Sequence, residues 1–82
     1  MPQFVARATN PLGIVVWGNG WGDYIDATDA QAAKARAVEL FLEPPCAAAL
    51  AEAPKLAASM LAHQQDYHLG LIDVSVIRRR KA

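Results

Sequence analysis

A tight turn between two strand-like segments constrains the fold more than any other feature. Asn10-Pro11-Leu12-Gly13 presents the residues of a turn in order: a side-chain acceptor, a proline that presets φ, and a glycine for a bulge at positive φ. Residues 3–9 alternate in the manner of a half-buried strand, and an apolar run follows the turn. The pattern predicts a β-hairpin in which Asn10 pairs with Ile14.

The register of this hairpin assigns its side chains to two faces. An uninterrupted ladder places Ala8 opposite Val16 and Arg7 opposite Trp17, so that the guanidinium stacks on the indole. The face predicted to lie on the core holds Phe4, Ala6, Ala8, Ile14 and Val16. The other face, called the outer face below, is predicted to hold Val5, Arg7, Thr9, Val15 and Trp17.

Residues 17–24 hold both tryptophans, one of the two tyrosines and three of the five glycines. Large amphipathic rings next to flexible glycines are typical of interaction surfaces. Either a two-residue or a three-residue turn fits at residues 18–20. We favour the three-residue turn, because it places Trp21, Asp23 and Ile25 on the outer face beside Trp17, whereas the shorter turn buries the Asp23 carboxylate.

Three helical segments follow. Thr28, with Gln31 three residues later, has the pattern of a capping box and predicts a helix over residues 29–42, which ends before Pro44. A short helix over residues 45–52 is predicted next. Pro54 then begins another helix, which ends at about residue 65. The apolar stripe of the first helix is Ala30, Ala33, Ala37, Leu40 and Phe41.

The last segment, residues 69–79, is rich in β-branched residues and predicts a strand. Its core side is Ile72, Val74 and Val76, and its outer side is Leu71, Asp73, Ser75, Ile77 and Arg79. The chain is therefore predicted to be one α+β domain over residues 1–82, with element order β-β-β-α-α-α-β. Two or three helices cover one face of a three- to four-stranded, mostly antiparallel sheet, whose strand order stays open.

Charge and cysteine content exclude several classes of function. Eight basic and eight acidic residues cancel, so no global field attracts nucleic acid or anionic lipid. The one cysteine, Cys46, excludes an intramolecular disulfide and is expected to be buried. The chain has neither a signal-like start nor a membrane-spanning stretch, so we expect a cytoplasmic protein.

No residue pattern indicates catalysis, a cofactor, a metal or a small-molecule substrate. Asp23, Asp26 and Asp29 recur every third residue, which is not the spacing of an EF-hand, and Asp26 and Asp29 are expected to complement a helix N-terminus. His63 and His68 fit a solvated helix end, and the serines lack a glycine elbow. We therefore expect a protein that is not an enzyme.

The remaining hypothesis is a protein-binding module that uses the helix-free sheet face to bind a partner or a second copy. Its predicted contact residues are Val5, Arg7, Val15, Trp17, Trp21, Asp23, Ile77 and Arg79. As a class, such compact chains resemble small phage or mobile-element accessory proteins, including inhibitors. One alternative is a single-stranded nucleic-acid binder that stacks bases on Trp17 and Trp21 and contacts phosphates through Arg78, Arg79, Arg80 and Lys81. Another is a structural homodimer without further activity.

Overall fold

The structure, a computed structural model, describes residues 1–19 and 23–79. Its strands are β1 (Gln3–Thr9), β2 (Val15–Gly18), β3 (Ile25–Asp26) and β4 (Asp73–Arg78). Its helices are α1 (Ala30–Phe41), α2 (Ala47–Glu52) and α3 (Pro54–His68). The four strands form one antiparallel sheet, so the predicted α+β class and element order are confirmed.

β1 is the central strand and pairs with each of the other three. β4 pairs with residues 4–9 along one edge of β1. Because a strand has only two edges, β2 and β3 share the opposite one: β2 pairs with residues 7–9, and β3 with residues 3 and 4. They are two pieces of one interrupted strand, and the predicted hairpin between them is wrong. Ile25, expected on the outer face, is buried opposite Phe4.

The turn of the first hairpin forms as predicted. The Asn10 N–H donates to the Ile14 carbonyl at 3.0 Å, and the Gly13 N–H donates to the Asn10 carbonyl at 2.9 Å. Gly13 has a φ of 78°, which glycine adopts without steric cost. The Asn10 side-chain oxygen also accepts the N–H groups of Leu12 and Ile14. These bonds fix where β2 begins.

A β-bulge then changes the register of the hairpin. Thr9 pairs with Val15, but Ala8 pairs with Trp17, so Val16 is an extra residue on β2. One extra residue moves every later side chain to the opposite face of the strand. Trp17 therefore lies on the helix side, and the predicted pairing of Arg7 with Trp17 is wrong because Gly18 stands opposite Arg7.

The bulge also explains the burial along β2. Val16 and Trp17 are consecutive, yet both pack against the core, which a regular strand does not permit. Ile14, predicted for the core, comes before the bulge and is 57% exposed.

The core lies between the sheet and α1. Ala6 and Ala8 of β1, and Ala33 and Ala37 of α1, are almost completely buried. Larger side chains surround these alanines: Phe4, Ile25, Phe41, Ile72 and Val74. The predicted core side of β4 and the buried stripe of α1 are thus confirmed, except that Ala30 is exposed and Leu40 and Val76 are only partly buried.

The first helix is capped by Asp29 and not by Thr28 as predicted. Asp29 has extended backbone angles, and its carboxylate accepts the Ala32 N–H at 2.8 Å. A carboxylate at this position also complements the positive end of the helix dipole, which a threonine hydroxyl does not.

Two further predictions are corrected at the other helices. Cys46, expected to be buried, is exposed, and its sulfur caps α2 by accepting the Ala49 N–H at 3.4 Å. α3 runs beyond residue 65, since Gly70, with a φ of 79°, closes its end while the Leu71 N–H donates to the Asp66 carbonyl. β4 consequently begins at residue 73 rather than 69.

The cap assignment predicts unequal costs for two neighbouring substitutions. Asp29→Ala should lower the free energy of unfolding by about 1 kcal/mol, because the Ala32 N–H loses its acceptor. Thr28→Ala should change it by less than about 0.5 kcal/mol. Urea denaturation of both variants measures the difference, and a larger loss for Thr28→Ala would contradict the assignment.

Candidate binding surfaces

The predicted contact residues separate onto two surfaces of the molecule. Val5, Arg7, Val15 and Ile77 are exposed on the outer face, as predicted. Trp17 and Asp23 instead line a cleft at the edge of the sheet, beside α1. Trp21 falls outside the described residues, as do Arg80 and Lys81 of the alternative nucleic-acid site.

The outer face has an apolar centre between charged side chains. Val5 and Ile77 are direct neighbours across β1 and β4, and they are 36% and 55% exposed. Val15, which pairs with Thr9, is 51% exposed. Three exposed charged residues accompany them: Arg7, Asp73 and Arg79. None of the described helices covers this face, so its apolar side chains contact solvent.

Arg79 is held in place at one end of the outer face. Its guanidinium carbon lies 4.2 Å from the centroid of the Tyr24 ring, and its Nη1 donates to Gln3 Oε1 at 2.8 Å. Its backbone N–H donates to the Gln3 carbonyl at 2.8 Å. The predicted stacking of Arg7 on Trp17 is wrong, and the described cation–π contact joins Arg79 and Tyr24. Sequence reasoning missed Tyr24, because the contact joins distant parts of the chain.

Trp17 connects the core with the cleft. Its ring meets Phe41 edge-on, with centroids 5.4 Å apart, and Phe41 meets Tyr67 in the same way at 5.8 Å. Trp17 is partly buried against these rings and also lines the cleft. Because its ring packs on Phe41 from the helix side, Trp17 forms a wall of the cleft and does not lie on the outer face.

The cleft has a volume of about 1060 Å³ and lies between the β2–β3 edge, α1 and the start of α2. Its apolar lining includes Trp17, Tyr24, Leu40, Pro45 and Met60. Its charged lining consists of Asp23, Asp26, Glu43 and Arg36 among the described residues. Sequence reasoning missed this cleft, since its walls come from five separate elements and their connections.

The loop between β2 and β3 positions Asp23 at the cleft. Gly18 pairs with Arg7 and Ile25 pairs with Phe4, so the ladder along this edge of β1 is interrupted between these two pairs. The Asn19 N–H still donates to the Ala6 carbonyl at 3.2 Å, and the Asn19 side chain donates to the Asp23 carbonyl at 3.1 Å. These bonds hold the two ends of the loop together.

A serine and a histidine side chain approach each other on α3. Ser59 Oγ and His63 Nε2 lie 3.3 Å apart on α3, but no described carboxylate forms a hydrogen bond with this histidine. Within residues 1–19 and 23–79, no three metal-ligating side chains come together. No helix there combines the length and apolar character needed to cross a membrane.

No protein-family model, curated protein or solved structure matches this chain.

The packing of Trp17 predicts that it matters for stability. Trp17→Ala should lower the free energy of unfolding by roughly 2–4 kcal/mol, near the range for emptying an aromatic core site, because Phe41 loses its edge-on partner. Val15→Ala, two positions away on the outer face, should cost less than about 1 kcal/mol. Chemical denaturation of both variants measures the two losses in the free energy of unfolding. Equal losses would show that Trp17 does not belong to the core.

Proposed function

We propose that this protein is a non-catalytic protein-binding module whose contact surface is the outer face of its sheet. The observation that carries the proposal is the pair Val5 and Ile77, which are adjacent and exposed at the centre of a face without helices. Apolar side chains grouped in this way mark interaction surfaces on small proteins more often than scattered ones do.

The charges around this pair support a specific contact. The apolar centre has both signs of charge around it. Arg7 and Arg79 are positive, and Asp73 is negative. Mixed charges of this kind select a partner more than they accelerate encounter, which agrees with a chain of zero net charge.

Contacts within the protein already hold the backbone and one charged side chain of this surface in place. β1 is hydrogen-bonded along both edges, and Arg79 is already ordered by Gln3 and Tyr24. Because little side-chain freedom remains to be lost, association costs less entropy than it does for a flexible surface.

The same observations give the nucleic-acid alternative less support. Trp17 packs on the helix side against Phe41, so it is not on the sheet face where bases would stack. The Arg79 guanidinium lies on Tyr24. We further propose that the module acts in the cytoplasm by occupying a partner's surface, as small phage inhibitors do.

A double substitution tests the outer face. Val5→Thr combined with Ile77→Thr keeps β-branched residues but removes apolar contact area, so the free energy of unfolding should change by less than about 1 kcal/mol. Association should weaken by about 30-fold, corresponding to about 2 kcal/mol. The matched control is Leu56→Gln, which removes an exposed apolar side chain on α3.

Two measurements read out this test. Analytical ultracentrifugation measures self-association, and affinity capture from nuclease-treated source cells, followed by titration with the purified partner, measures heterologous binding. Unchanged association in the double variant would refute the outer face as the contact surface. Submicromolar binding of random RNA or DNA with a steep salt dependence would instead favour the nucleic-acid alternative.

A further inference from the structure

Opposite charges mark the two ends of β4 on the outer face. Asp73 begins the strand beside Thr9, and Arg79 follows its last residue beside Gln3, so the two charged residues are about 20 Å apart along the strand. Both are exposed, and neither forms a salt bridge within residues 1–19 and 23–79. The described part of the chain therefore leaves both charges uncompensated.

The positive charge is presented at a defined place on this face. Arg79 Nη1 donates to Gln3 Oε1 at 2.8 Å, and the guanidinium carbon lies 4.2 Å from the centroid of the Tyr24 ring. A guanidinium has five N–H donors, and Gln3 accepts from only one of its nitrogens. Arg79 can therefore still bind a carboxylate from another molecule.

The order of residues along the outer face limits how a second copy can stack on it. Four cross-strand rows follow one another along β1 and β4: Gln3 with Arg79, Val5 with Ile77, Arg7 with Ser75, and Thr9 with Asp73. A parallel stack with β1 over β1 brings Arg7 onto Arg7 of the other copy, which is repulsive. An antiparallel stack reverses the rows and brings Asp73 of each copy onto Arg79 of the other.

The antiparallel stack also covers the apolar centre of the face. The row of Val5 and Ile77 then lies over the row of Arg7 and Ser75 of the other copy. The aliphatic stem of an arginine can pack on valine while its guanidinium stays in water. Because none of the described helices lies on this face, two copies can approach to the spacing of about 10 Å that stacked sheets adopt.

We propose that the outer face binds a second copy of this chain in this antiparallel stack, with Asp73 of each copy against Arg79 of the other. The inference rests on the function proposed for the outer face and names its partner. Three strands over a length of about 20 Å give a contact of roughly 300 Å², which is well below the area that each partner buries in a stable complex. The dimer is therefore weak and reversible.

Two charge reversals test the arrangement. Asp73→Lys and Arg79→Glu each place two like-charge contacts in their own dimer, so each variant should self-associate about tenfold more weakly than the original protein. An equimolar mixture of the two variants restores two opposite-charge contacts, and its association should return to within about threefold of the original. Sedimentation at concentrations up to about 1 mM measures all three, and Glu52→Lys on α2 is the matched control.

Urea denaturation checks that each variant is folded, and Asp73→Lys alone decides the test if Arg79→Glu unfolds. A protein that stays monomeric at about 1 mM, or an Asp73→Lys variant that associates like the original, would overturn the proposal. A mixture of folded variants that associates no better than either one would also overturn it. Capture of a different protein that Val5→Thr with Ile77→Thr weakens, by a chain that stays monomeric, would overturn only the second copy as partner and leave the outer face as the contact surface.

Discussion

The close contact between α1 and β1 determines which side of the sheet is core and which is surface. Ala6 and Ala8 of the strand and Ala33 and Ala37 of the helix are all buried in one core, and side chains this small let a helix lie close to a strand. Alanine burial releases little hydrophobic free energy, so the surrounding phenylalanine, isoleucine and valine side chains provide most of it. With α1 on one side, the opposite side of the sheet is left exposed, and this is the face proposed for protein binding.

The bulge at Val16 decides how the aromatic segment is used. Without it, Trp17 would be exposed next to Arg7; with it, Trp17 completes a chain of rings with Phe41 and Tyr67 and forms a wall of the cleft. The interruption between β2 and β3 has a similar effect. Ile25 is buried in the core after this interruption, and Asp23 lies at the cleft. The outer face and the cleft thus both border one irregular edge strand beside a regular central one.

Local chemistry in the sequence was enough to predict the regular parts. The Asn10–Gly13 turn depends on residues whose conformational preferences are strong, and alternation alone assigned Val5, Arg7, Val15 and Ile77 to the outer face. The bulge could not be predicted in this way, because Val16 is an ordinary strand residue and the packing of Trp17 on Phe41 is non-local. Thr28 and Asp29 are both good capping residues, so only the backbone geometry distinguishes them.

The register of the first hairpin decides on which face of the sheet Trp17 lies, and this register can be measured directly. Arg7 and Gly18 form a pair without mutual hydrogen bonds, since the adjacent Asn19 N–H donates to the Ala6 carbonyl. The α-protons of such a pair lie close together, so nuclear Overhauser spectroscopy should show a strong contact between the α-protons of Arg7 and Gly18, together with contacts between the Trp17 and Phe41 rings. A strong contact between the α-protons of Arg7 and Trp17 would contradict the bulge and return Trp17 to the outer face.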